Sequence, residues 1–480
     1  MRALTDIPPE ALKKPGAFRL AVKDNIATGS LPTTCASRIL RGYTSPFEAT
    51  IVRQLRARNA VLVGTTNMDE FGMGSHSINS AHGAVVNAAS TSAAQPRSAG
   101  GSSGGSAVAV QLGEADVALG TDTGGSVRLP AAYTGIFGFK PSYGMLSRFG
   151  VVPYANSLDT VGLLAKRVDE MYDLVFSKGI YMEHDPQDPT SLSSATRERC
   201  EAAHGTAPKT LDAALPTEPR RITVGVPLEY NIAELDPAIR ETWTAAAEAL
   251  EQWGARVVPV SLPSTRHALS AYYIIAPAEA SSNLAKYDGV RYGHPPPSPC
   301  SSSTSESNSD TLYASTRGSG FGQETRRRIL LGAYSLSSAA MDNYFIQAQR
   351  VRRSVQRDFD RVFARANPLY DAAPFDLSDM DDAVVLDNKL GPPQVDFILA
   401  PTAPTTAPLL ADVQKTPVDA YANDVFTVPA SLAGLPAVSV PVEIKGAQDV
   451  AGLQLVGQFW DDARVLGMAK ALSQILKSQS

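Results

Sequence analysis

The sequence predicts an α/β protein. Short β-branched runs alternate with helical or glycine-rich text across residues 17–165, and the same strand–helix–strand order returns after residue 221. A chain of 480 residues, 44% of them hydrophobic, can also bury a large core or divide into two units. Along the chain, AFRLAVKDNI, NAVLVGTTN and EADVALGTDTGGS read as strands running into turns. The stretch 184–220, rich in Pro, Ser and Thr without apolar periodicity, reads as a linker-like loop. Beyond it, RRITVGVPL predicts a strand. A helix from Asp236 to about Gly254 follows, with Ile239, Trp243, Ala246, Leu250 and Trp253 on one face, and ARVVPVSLP predicts a second strand. Residues 295–310 are low-complexity text expected to be exposed and mobile. A long helix is expected over 337–365, with Tyr344, Ala348, Val351, Val355, Phe359 and Phe363 spaced by three and four. The segment 368–394 reads as an inserted acidic loop, and VDFILAPTAPTTAP resumes a buried strand. The chain shows no internal repeat.

Composition narrows the function classes. With 19% charged residues, 36 Gly, 34 Pro and a formal charge of −5, the chain has neither the composition of a disordered protein nor a global basic field for nucleic acid. Three scattered cysteines, Cys35, Cys200 and Cys300, argue against a disulfide framework or a CxxC metal site and fit reduced intracellular thiols. No run approaches the roughly 20 apolar residues of a membrane span, so a soluble chain is expected. The amino terminus, with Asp6, Glu10 and several prolines, carries no readable targeting signal.

The main chemical signal is a pair of Gly-Ser segments, Gly100-Gly101-Ser102-Ser103-Gly104-Gly105-Ser106 and Gly120-Thr121-Asp122-Thr123-Gly124-Gly125-Ser126. Tandem glycines let backbone N–H groups come close to a ligand, as an anion nest or oxyanion hole requires. A phosphate-binding loop would need a Lys after its last glycine, and neither segment has one. Gly101-x-Ser103-x-Gly105 matches a nucleophile elbow, but that arrangement needs a His base, and His184, His204, His267 and His294 lie in text without a motif. Flexible Ser-Gly turns remain open as a purely structural reading. A further chemistry needs no histidine: serine activated by another serine and a lysine. Lys23, in Ala21-Val22-Lys23-Asp24-Asn25-Ile26, could be that base if its amine were neutral near pH 7. That requires desolvation and local positive potential worth ~4–5 kcal/mol, for a shift of about three units at ~1.36 kcal/mol each. Only a buried site supplies it, and strand alternation would turn Asp24 to the opposite face.

Beyond these spacings, AVKDNI, TTNMDEFGMGS, SAGGSSGGSAVAV, LGTDTGGSVRLPAAYTGIFGFKPSYGMLSRFGVVPYANSLDTVG, EASSNLAKYDGVRYG, RRRILLGAYSLSS, APTAPTTAP and YANDVFTVPASLAGLPAVSVPV occur in the order of a known family. The chain resembles the amidase-signature family from Lys23 almost to its C-terminus, and within it the glutamine-hydrolysing subunits of tRNA-dependent amidotransferases. The resemblance implies one large domain over 1–480, with a mixed central β-sheet covered by helices on both faces. It implies a Ser-cis-Ser-Lys triad in which Ser126 is the acylated nucleophile and Ser102 relays its proton to Lys23. The N–H groups of Thr123, Gly124, Gly125 and Ser126 would form the oxyanion hole. For a zwitterionic glutamine it places Arg328 on the α-carboxylate, Asp424 on the α-amino group and Tyr272 in the pocket. Read without it, Arg326 to Arg328 would be a surface basic run, Asp424 a helix N-cap and Tyr272 a core aromatic.

The implied activity is hydrolysis of glutamine to supply ammonia for converting glutamate on misacylated tRNA(Gln) to glutamine. The implied partners are a tRNA-binding B subunit, which grips most of the tRNA, and a small bridging subunit, with no membrane involved. No cofactor is expected in this chain; ATP and Mg²⁺ would be used by the complex. A stand-alone amidase acting on another amide and a catalytically silent scaffold are the alternatives. Only 22 residues precede Lys23, fewer than in typical members, so the amino end looks short. The insertions 295–310 and 368–394, with GMGSHS, resemble fungal mitochondrial forms, which implies the mitochondrial matrix, a cytoplasmic placement being the alternative.

Overall fold

A computed structural model describes residues 2–3, 10–90, 95–293, 313–370, 394–415, 419–445 and 449–479. The low-complexity segment 295–310 lies outside the described residues, as does all of the expected acidic loop except 368–370 and 394.

Eleven strands among the described residues form one sheet: β1 (Arg2–Ala3), β2 (Phe18–Lys23), β3 (Ala60–Thr66), β4 (Val117–Asp122), β5 (Phe137–Lys140), β6 (Thr160–Ala165), β7 (Thr223–Pro227), β8 (Arg256–Val260), β9 (Phe397–Pro401), β10 (Ala437–Glu443) and β11 (Val450–Val456). Their spatial order is β1-β3-β2-β4-β6-β5-β10-β11-β9-β7-β8. The sheet is mixed: β3, β2 and β4 run parallel at one end and β9, β7 and β8 at the other, joined by antiparallel pairs. Central strands such as β4, β6 and β9 are buried along their whole length, because helices leave them no wet face. This is the expected α/β class with a mixed sheet.

The strand–helix–strand unit after residue 221 forms β7, a helix Pro237–Trp253 and β8. Asp236 caps the helix by accepting from Ala238 N at 2.8 Å, Pro237 fills the first turn, and Gly254 ends it at φ 107°. Ile239, Trp243, Ala246 and Leu250 are buried as their spacing requires.

Two expectations are corrected. Residues 184–220 are not a linker: they hold a helix Ser194–His204, capped by Ser193, and a short helix Leu211–Ala214, capped by Thr210. The anchor is polar, which is why apolar periodicity missed it. Arg197 is fully buried and donates to the carbonyls of Gly144, Met145, Tyr181 and Leu192. The helix expected over 337–365 spans only Phe345–Val362. Its expected first turns, in SLSSAAMDN, are Ser-, Asp- and Asn-rich and close as tight turns, and Tyr344 is exposed. At the other end Phe363 leaves the helix in extended conformation and bridges to Val395.

The parallel end of the sheet positions the site. Lys23 ends β2 and Thr121 and Asp122 end the neighbouring β4, so their side chains meet beyond the carboxyl edge of the sheet. The first Gly-Ser segment runs into a helix Gly104–Gln111, and the second runs into a helix Arg128–Thr134.

Candidate active site

Lys23 has no exposed surface. Its Nζ lies 2.8 Å from Ser102 Oγ, 2.8 Å from Ser103 Oγ and 2.9 Å from Thr121 Oγ1. A neutral amine has two donors and one lone pair, and the three near hydroxyls match that inventory, with the Thr121 carbonyl oxygen farther off at 3.4 Å. The Ser103 hydroxyl donates to the Thr121 carbonyl at 3.3 Å, so towards Lys23 it accepts, leaving the Ser102 hydroxyl free to point at the lone pair. Burial brings the Lys23 amine down to about 7, although Asp69, Asp122 and Asp159 pull the other way. Asp24 faces elsewhere, accepting from the N–H groups of Thr34 and Ala36.

Ser102 follows a cis peptide from Gly101. Glycine is required at 101 because a Cβ there would lie 2.3 Å from Asp69 Oδ2 and 2.6 Å from the N atoms of His76 and Ser77. The Ser126 loop is tied to the same place by Ser103 N, which donates to Ser126 O at 3.1 Å. Ser126 is 8% exposed against 0% for Lys23 and 1% for Ser102, so it is the member of the set nearest solvent. Among the described residues, none accepts from the N–H groups of Gly124, Gly125 or Ser126, and the Ser126 hydroxyl makes no hydrogen bond. The loop carrying them is held from behind. Arg128 forms a fully buried pair with Asp122 at 2.9 Å and donates to Thr427 O at 2.8 Å, while the Thr427 hydroxyl donates to Gly124 O at 2.6 Å. Thr123 donates to Asp159 at 2.7 Å.

Tyr272 is buried with its ring against this loop: a Cβ on Gly124 would lie 2.6 Å from Tyr272 Cζ. The next residue, Tyr273, opens the second half of the site. Its hydroxyl donates to Asp424 Oδ2 at 2.8 Å, and the Arg328 guanidinium lies over its ring at 5.2 Å. Arg328 and Asp424, 96 residues apart in sequence, thus converge on one tyrosine. Ser75 gives Asp424 Oδ2 a second hydrogen bond at 2.9 Å, and among the described residues Oδ1 accepts none. Burial pushes the Asp424 carboxyl up to about 6. Arg328 donates through Nε to Glu324 at 2.8 Å and through Nη1 to the Tyr154 hydroxyl at 2.8 Å, leaving Nη2 without an acceptor among the described residues. Burial works against the Arg328 charge, and Tyr154, Tyr273 and Glu324 around it outweigh that cost. Glu324 would be raised by burial, but Arg328 holds its carboxyl below the usual range. A cavity of about 280 Å³, lined by Gly74, Ser75, Glu324, Arg327, Arg328 and Tyr421, borders the Arg328 side of this group; Asp424, Tyr273 and Ser126 do not line it.

The simpler readings of two residues do not fit their places: Arg326 is exposed but Arg328 is buried, and the helix Val428–Ala433 has Thr427 rather than Asp424 at its cap position. Tyr272 is a buried core aromatic, as its simpler reading has it, with its ring against the glycine loop. Residues that sequence reasoning did not single out are Thr121, Asp69, Ser75, Tyr154, Tyr273 and Glu324; Ser103 reads there only as the serine of a nucleophile elbow, not as a partner of Lys23. The doubled serine at 102–103 and the doubled tyrosine at 272–273 were the available signals. Among the described residues no group of three or more His, Cys, Asp or Glu could hold a metal ion, and no helix is long and apolar enough to cross a membrane.

A buried lysine among hydroxyls, two glycine–serine loops and this mixed sheet agree with comparison to known families: the model of the amidase family matches residues 19–466, and the chain belongs to that family. The chain is 64% identical over 458 residues, 95% of its length and 86% of the relative's, to the A subunit of the mitochondrial glutamyl-tRNA(Gln) amidotransferase of Fusarium vanettenii. It is 60% identical over 498 residues to the protein of the same name in Neurospora crassa, covering 96% of this chain and 91% of that one. Among solved structures, the A subunit of glutamyl-tRNA(Gln) amidotransferase from Thermotoga maritima superposes with a TM-score of 0.69 at 32% identity, covering 96% of this chain and 89% of that chain.

Proposed function

We propose that the chain is the glutamine-hydrolysing subunit of a mitochondrial tRNA-dependent amidotransferase. The observation that carries this beyond a general amidase is the convergence of a buried cation and a buried carboxylate on Tyr273, each with one free polar atom. A zwitterionic amino acid needs that pair, and a simple amide does not. High identity to relatives named as the A subunit of such an enzyme supports the same reading.

In the reaction, the α-carboxylate of glutamine meets Arg328 and its α-amino group meets Asp424, while Tyr272 lines the pocket towards the nucleophile loop. The neutral Lys23 amine takes the Ser102 proton as Ser102 takes that of Ser126, and Ser126 Oγ attacks the side-chain amide carbon. The developing oxyanion is met by the N–H groups of Thr123, Gly124, Gly125 and Ser126. The proton returns through Ser102 to the departing nitrogen, which leaves as ammonia. Water then attacks the acyl-enzyme by the same proton path and releases glutamate. These steps use only groups of the chain. A tRNA-binding partner subunit, with ATP and Mg²⁺, would receive the ammonia and amidate glutamate on tRNA(Gln), and a small third subunit would bridge the two.

The test is purification from the native source followed by an ammonia-release assay. Recovery with a tRNA-binding partner, and glutamine hydrolysis abolished by Ser126→Ala, are expected. A monomer that hydrolyses uncharged amides but not glutamine would establish the stand-alone amidase, and full activity in Ser126→Ala would establish a scaffold.

A further inference from the structure

The charges of three buried carboxylates, Asp69, Asp122 and Asp159, reach Lys23, and the buried Cys35 thiol lies within the same field. They are not equivalent. Asp122 is neutralised by Arg128 at 2.9 Å, and Asp159 has Arg148 at 3.5 Å. Burial pushes the Cys35 thiol well above its ordinary range, so it is neutral. Asp69 alone of the three carboxylates makes no ion pair among the described residues. Arg328 is the other charged group whose field reaches it. Burial pushes its carboxyl up to about 6, which leaves it largely ionised at neutral pH, and backbone limits that rise: Oδ2 accepts from Ser77 N at 2.7 Å and Oδ1 from Asn79 N at 3.0 Å.

The same residue touches both halves of the site. Its own N–H donates to Ser102 O at 3.2 Å, and its carboxylate lies against Gly101 and Gly74. The loop it holds through Ser77 and Asn79 carries Ser75, which orients Asp424. Ser77 Oγ also accepts from Gly104 N at 3.0 Å, just beyond the two serines at Lys23.

We propose that Asp69 is a positioning residue that acts through Lys23: it fixes the Gly101–Ser102 backbone and supplies the buried negative charge that stabilises the ammonium formed when Lys23 takes the proton. This rests on Lys23 being the base, but not on glutamine being the substrate.

A serine-directed fluorophosphonate separates the two, because its reaction with Ser126 needs the base and not the amino-acid pocket. Labelling rates are measured across pH for the native complex carrying wild-type chain, Asp69→Asn, Asp69→Ser and Asp69→Glu, alongside melting curves and ammonia release from glutamine. Losing the charge destabilises the Lys23 ammonium, so in Asp69→Asn the rising limb should move to lower pH by about one unit. Its plateau should fall at least about tenfold, since a weaker base transfers the proton less well. Asp69→Glu keeps the charge and should keep the limb where it is, at a lower rate. Asp69→Ser, smaller and able to admit a water, repeats the test if Asp69→Asn does not fold. A reduced rate with an unmoved limb, or neither variant folding, overturns the proposal and makes Asp69 purely structural. Wild-type labelling without glutamine hydrolysis would instead refute the substrate reading and leave this one standing.

Discussion

Replacing Lys23 with methionine separates chemistry from folding, because methionine keeps most of the buried volume and removes the amine. Holding that amine at about 7 rather than 10.5 corresponds to roughly 4–5 kcal/mol at ~1.36 kcal/mol per unit, a cost the folded state carries near neutral pH. Against it stand the bonds to Ser102, Ser103 and Thr121, each worth about 1 kcal/mol net. The balance lies within a few kcal/mol of zero and leans towards a more stable variant. The sign with pH is fixed too. From about 7 to 10.5 the unfolded chain holds one more proton than the folded one, so wild-type stability rises with pH across that window. Lys23→Met lacks this rise, and any advantage it has in melting temperature should shrink as pH increases. Acylation of Ser126 should fall about 10²–10⁴-fold, the worth of a positioned base. Calorimetry across pH and single-turnover labelling read the two quantities. A collapse of the melting temperature, or labelling within a few-fold of wild type, would refute the reasoning.

Other outcomes follow from the same geometry. Glutamine hydrolysis should rise with pH through a midpoint near 7, since Lys23 must shed its proton to act, and a midpoint at ordinary lysine values would show a solvated amine. Arg328→Gln should raise KM for glutamine about 100-fold or more by removing a desolvated charge partner, while labelling by an uncharged fluorophosphonate stays near wild type; equal losses in both would mean that Arg328 only supports the fold. Gly124→Ala drives a Cβ into the Tyr272 ring and should lower kcat more than it raises KM, and pairing it with Tyr272→Ala should recover part of the rate. No recovery in that double variant would show that the loop, not the ring, sets the effect.

The sequence made part of the sheet readable because strands such as β4 and β9 are apolar runs bounded by turns, and because Asp236, Pro237 and Gly254 mark both ends of their helix. It failed where packing is polar. Arg197 anchors its helix through four carbonyls, a pattern without hydrophobic period, so residues 184–220 read as a linker. Lys23 and the two serine loops stood out through glycine spacing. The ring of hydroxyls around the amine did not, because Thr121 lies on another strand and Ser103 reads from its spacing as a nucleophile-elbow serine rather than a lysine partner. Arg328, Asp424 and Tyr272 were reached only through family likeness: nothing in a spacing of 96 residues tells that an arginine and an aspartate meet on one ring.

That meeting also joins the two halves of the site through a single element. Tyr272 and Tyr273 are consecutive on the helix Ala268–Asn283, one ring on Gly124 and the other between Arg328 and Asp424. Under the proposed reading, a substrate held between Arg328 and Asp424 would press on the same helix turn that sets Tyr272 against Gly124. Thr427 closes the circuit from the other side, three residues after Asp424, with its hydroxyl on Gly124 O and its carbonyl on Arg128. In the proposed function, substrate charge would thus be read within one helix turn and one short 3₁₀ turn of the groups that would bond the oxyanion. Proximity of this kind lets remote binding contacts be expressed as correct placement of the reacting carbon rather than as tighter ground-state binding alone.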